Sequence, residues 1–98
     1  MGDIVKFSDL DFQKTLAPKG IQAVVNFGEY DLSIIRNEMS YGNKDGLYEI
    51  GVFYQGKQVN MPGITESHDT VKGFLTEQEV DGIIKKMITI TKNSGEQV

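Results

Sequence analysis

No cysteine occurs in the 98 residues, which removes disulfides, thiolate nucleophiles and sulfur-ligated zinc from consideration. A reducing compartment fits that composition, and a cytoplasmic protein is expected. No stretch approaches the roughly 20 apolar residues that span a bilayer, and the opening MGDIVKFSDL has neither a basic leader nor an apolar export core. Lys6 stands where a myristoylation signal wants Ser or Thr. Positive charge is scarce too. Lys and Arg number 10 against 14 Asp and Glu, a net charge of -4 that repels nucleic-acid phosphate. Neither nucleic acid nor membrane is an expected partner.

Catalytic groups are equally sparse. His68 is the one histidine, and although Ser67-His68-Asp69 holds the side-chain types of a hydrolytic triad, adjacent residues diverge and cannot align nucleophile, base and orienter. His68 reads as a surface loop residue; a metal site with Glu66 and Asp69 has no recognised spacing. The acids Asp9, Asp11, Asp31, Asp45, Glu77, Glu79 and Asp81 are explained as turn, cap or first-turn residues. The glycines, 11 in all, form neither G-x-x-x-x-G-K-[ST] nor a G-x-G-x-x-G after a strand. No enzyme, metal or cofactor is expected.

What is present is ordinary globular material: 39% hydrophobic and 24% charged residues. One α+β domain over 1–98 is expected, with 92–98 as a flexible polar tail. Thr76 and Glu79 form a capping box, and Leu75 and Val80 stand at its hydrophobic-staple positions. Val80, Ile83, Ile84, Met87 and Ile88 then recur at helical spacing, predicting a helix over 77–91 despite Gly82.

Upstream, the period shortens to two. Alternating segments 21–27 and 30–36 flank Gly28-Glu29, with glycine where a type II′ turn needs it. That turn pairs Phe27 with Tyr30, Val25 with Leu32 and Ala23 with Ile34. Asn43-Lys44-Asp45-Gly46 reads as a type I turn closed by a left-handed glycine, joining a second strand that reaches residue 41 to a third over 47–54. Gln55-Gly56 turns back into a fourth over 57–61, with Val52 facing Val59 and Ile50 facing Met61. The economical fold is a four-stranded antiparallel β-meander with a C-terminal α-helix packed on one face. Before it, Ile4, Val5 and Phe7 suggest a short strand, and Ser8 could open a brief helix ending before Pro18; Phe7 and Phe12 stand at staple positions, and the segment is left to cover part of the second face, add an edge strand, or do neither.

Strand parity carries the functional expectation. The helix stripe is expected over Ile21, Ala23, Val25, Leu32, Ile34, Ile50, Val52 and their neighbours. On the other side Val24, Ile35, Met39, Tyr41 and Phe53 form an apolar, lysine-free patch, a candidate partner-binding surface unless the N-terminal segment covers it. The leading expectation is a non-enzymatic protein that binds another protein, or itself as a homodimer, through this face or an open edge. Acidity, compactness and the lack of catalytic groups resemble, in general character only, small accessory proteins of phages and mobile elements. An inhibitor of a host protein is one such role. The alternative is a small-ligand or nucleotide binder using the 61–70 loop, with Gly51, Glu66, His68 and Asp69 as its residues. Gly51 belongs here because a glycine inside a strand often marks a bulge or close approach.

Overall fold

Alternating side chains in the middle of the chain lay down the centre of one antiparallel sheet, and a single helix closes one side of it. The computed structural model describes residues 6–65 and 69–95. In order, they form a 3-10 turn at Phe7–Asp9, β1 (Gln13–Leu16), β2 (Lys19–Phe27), β3 (Tyr30–Asn37), a second 3-10 turn at Asn43–Asp45, β4 (Tyr48–Tyr54), β5 (Lys57–Val59), β6 (Val71–Leu75) and α1 (Glu77–Gly95). The class is α+β as expected, but the sheet has six strands where four were expected.

The three central strands keep the predicted register. Phe27 pairs with Tyr30, Val25 with Leu32 and Ala23 with Ile34, and Val52 with Val59. Gly28 at φ 72 supplies the left-handed residue its turn requires. Gly46, at φ 71, closes the second 3-10 turn.

Four expectations are corrected. The second strand stops at Asn37 rather than reaching residue 41, because the Asn37 side chain and backbone bend the chain: Met39 N donates to Asn37 Oδ1 at 2.8 Å, and Ser40 N to Asn37 O at 3.0 Å. The fourth strand ends at Val59. Beyond it Met61 N donates to Thr65 Oγ1 at 2.9 Å, which folds residues 61–65 into a turn. Met61 is still buried, but Ile50 pairs with Lys72 of β6 instead. β5 and β6 therefore lie end to end along one edge of β4, β5 on Val52–Tyr54 and β6 on Tyr48–Gly51. Finally, α1 continues past residue 91 to Gly95. Of the outcomes left open for the N-terminal segment, residues 13–16 take that of an edge strand on β2. The expected strand residues Ile4 and Val5, and residues 96–98 of the polar tail, lie outside the described residues.

The capping box is present in both directions: Thr76 N donates to Glu79 Oε1 at 2.9 Å, and Glu79 N to Thr76 Oγ1 at 3.1 Å. Satisfying these end donors starts the helix where its apolar stripe meets the sheet. Val80, Ile83, Ile84 and Met87 are buried against Val25, Leu32, Ile34, Tyr48, Ile50 and Val52. The N-terminal segment joins the same side. Phe7, Phe12 and Tyr48 form a ring cluster with centroids 5.3 to 5.7 Å apart, and Phe7 N donates to Asp81 Oδ1 of the helix at 2.8 Å. Residues 6–12 thus fill the helix side, and the opposite face has no second layer among the described residues.

Candidate docking face

Parity places Gln22, Val24 and Asn26 of β2, Asp31, Ser33, Ile35 and Asn37 of β3, and Glu49, Gly51 and Phe53 of β4 on the side away from α1. The same alternation sends Lys14, Lys19, Arg36, Lys57 and Lys72 to the helix side. Among the described strand residues the open face therefore carries carboxylates and amides and no cation. Its polar groups are knitted together: Gln22 Nε2 donates to Ser33 Oγ at 3.0 Å, and Asn26 Nδ2 to Asp31 Oδ1 at 2.9 Å.

A shallow depression of about 330 Å³ lies in this face. Buried Ser33 and Gly51 are at its base, and Ile35, Phe53, Val71, Gln22 and Gln58 surround them, with Thr15 of β1 and Pro18 of the β1–β2 connection at one end. Gly51 keeps it open only in part. A Cβ there would stand 3.2 Å from Gln58 Nε2 and 3.6 Å from Val71 Cγ1.

At the β6 margin two aromatic rings stand out from the surface. Tyr41 and Phe74 stack with centroids 6.3 Å apart and planes 25° apart, and they are 61% and 60% exposed. Tyr41 is held by its backbone. Its N–H donates to Glu49 Oε1 at 2.8 Å, and its carbonyl accepts from Phe74 N at 3.3 Å. Gly73 makes this possible, since a Cβ there would lie 2.5 Å from Tyr41 Cβ. Phe74 itself has φ 58, a left-handed conformation that bulky residues avoid, at the register shift between β4 and β6.

The residues singled out from the sequence divide as follows. Ile35, Phe53 and Gly51 share the depression, and Val24, 60% exposed, stands on the same face. Tyr41 reaches the β6 margin from the connection after β3. Met39, 78% exposed, sits on that connection and off the strands. Gly51 opens on the side opposite α1. Asp69 is exposed, its carboxylate accepting from Thr70 N at 3.0 Å and its carbonyl from Asn60 Nδ2 at 2.6 Å; Glu66 and His68 lie outside the described residues. Among the described residues no three acidic, histidine or cysteine side chains converge as metal ligands would. Phe74 and Val71 were not singled out for this face. Their signal was a glycine before an aromatic in Val71-Lys72-Gly73-Phe74-Leu75, which breaks the alternation that parity reading needs.

The Phe7 backbone N–H holds the Asp81 carboxyl below its usual value, and Lys85, whose Nζ lies 3.1 Å from Oδ2, adds to the effect. That carboxylate anchors the N-terminal segment to α1.

No helix among the described residues is long and apolar enough to cross a membrane. Compared with models of protein families, with curated proteins and with solved structures, the chain has no match in any of the three.

Proposed function

We propose that the chain is a non-enzymatic protein that binds another protein, or a second copy of itself, through the sheet face opposite its helix. The observation that supports this reading is the exposure of Val24, Tyr41 and Phe74, each about 60% open, around the half-buried Ile35 and Phe53. Aromatic side chains around a partly desolvated apolar centre are the composition of interface cores, from which lysine is depleted. With Asp31 and Glu49 on the face and no cation beside them, the complementary partner surface is basic. A cytoplasmic accessory protein of a phage or mobile element that blocks a basic surface of a host protein would have this chemistry.

The test is co-purification from the native source with wild-type protein and with a Val24→Asp/Phe53→Asp variant, each first checked for native circular dichroism. The reading expects a partner that the folded variant loses. A partner retained at full yield would count against it. The homodimer version has its own check by light scattering, where Met39→Asp and Phe53→Asp should shift a dimer to a monomer. A wild-type monomer would eliminate that version.

The depression around Gly51 favours one alternative, a small-ligand or nucleotide site, since its volume falls at the lower end of known ligand pockets. Thermal-shift screening against nucleotides and metabolites separates the readings. A ligand that stabilises wild type but not a Gly51→Val variant would favour the alternative.

A further inference from the structure

Three cations of this acidic chain meet at a place that the docking reading does not use. Strand pairing sets Lys14, Ile21 and Arg36 in one row across β1, β2 and β3 on the helix side, with Leu16 beside Lys19 in the next row. Neighbouring strands lie about 4.8 Å apart, so the Lys14 and Arg36 backbones stand about 10 Å apart with Ile21 between them. The hollow they frame measures about 570 Å³, within the range of small-ligand sites.

Its electrostatics are lopsided. The Arg36 guanidinium lies 5.1 Å from the Tyr48 ring centroid, which orients its plane, and it makes long contacts to Gly46 O at 3.5 Å and Tyr48 Oη at 3.4 Å. None of the three cations is paired with a carboxylate among the described residues. Glu38 is the one acid in the hollow, and its Oε2 already accepts from Lys19 N at 2.9 Å. Three cations against one carboxylate leave an excess of two positive charges. A phosphate monoester carries about −1.5 to −2 near neutral pH and matches that excess, whereas a carboxylate neutralises half of it. A guanidinium fork with two ammonium point charges also suits tetrahedral phosphate oxygens. Leu16, 92% exposed, and half-buried Ile21 offer an apolar seat for whatever carries the phosphate.

We propose that this hollow binds a phosphate monoester carried on an apolar body. Titration of the full chain with phenyl phosphate, followed by amide NMR, tests it. The expected result is saturable shifts at Leu16, Ile21 and Arg36, weakened about tenfold or more in a Lys14→Gln/Lys19→Gln variant, as loss of charge-assisted hydrogen bonds predicts. Benzoate should bind more weakly than phenyl phosphate, and Lys86→Gln on the exposed side of α1 should leave phenyl phosphate binding unchanged. A parallel arm with a phosphotyrosine peptide identifies the source: tighter binding than phenyl phosphate points to a protein side chain, and no gain points to a free metabolite. Shifts spread over Lys57 and Lys72, shifts that survive in the double variant, or benzoate binding as well as phenyl phosphate would each overturn the proposal.

Discussion

Phe74 sets its backbone against its own side chain. A left-handed φ of 58 costs a bulky L-residue about 1–2 kcal/mol, and the ring it places is 60% exposed, so burial returns little of that cost. Phe74→Gly should therefore leave urea stability within about 1 kcal/mol of wild type or raise it, since relief of strain offsets the lost stacking. A loss well beyond that would make the ring a structural element rather than a surface one. Gly73→Ala should act in the opposite sense. Its new Cβ meets Tyr41 Cβ at 2.5 Å, and overpacking of this kind destabilises by about 1–3 kcal/mol, with the Tyr41–Phe74 stack lost. At Asp81 the effect is one of pH. Its pKa lies below the ordinary 3.8, chiefly through the Phe7 N–H and then Lys85, so the carboxylate stabilises the fold in full above 3.8 and loses that contribution as pH falls from there through the lower folded-state value. Asp81→Asn should lower the melting temperature at pH 7 and make no difference once pH falls below the folded-state value, as thermal scans across the acid range would show.

Among the elements, those governed by short-range chemistry were legible in advance. Thr76 and Glu79 marked the start of α1 because a capping box is a local pattern, and Thr76→Ala should cost about 1 kcal/mol by chemical denaturation. Gly28 set the β2–β3 register for a similar reason, and with it the identity of the buried face. Elements governed by distant contacts were not legible. β1 consists of Gln13, Lys14, Thr15 and Leu16, three polar residues and an exposed leucine, and it is a strand because β2 offers it a free edge rather than because it alternates. β6 is obscured by Gly73 and by the register shift that its bulge introduces. The candidate face shows the same division. Val24, Ile35 and Phe53 follow from parity in β2, β3 and β4, but Asn37 ends β3 before Met39 and Tyr41, and Phe74 comes to the face through pairing of β6 that no local signal announces.

For the molecule as a whole, the charge sorting follows from the topology. The single helix and residues 6–12 both pack on one side, so the sheet hides Leu32, Ile34, Ile50 and Val52 there and leaves the other side to solvent or to a partner. The lysines and the arginine of the strands lie toward the helix side, and the open face keeps Asp31 and Glu49. This sorting underlies both proposals, a basic partner for the open face and a phosphate monoester for the end of the other. The docking claim is tested most directly by site-specific photo-crosslinking in extract of the native source, with the crosslinker at Val24 on the open face or at Lys86 on the exposed side of α1. The account predicts a discrete protein adduct from position 24 and none from position 86. An adduct from position 86 with none from position 24 would contradict it.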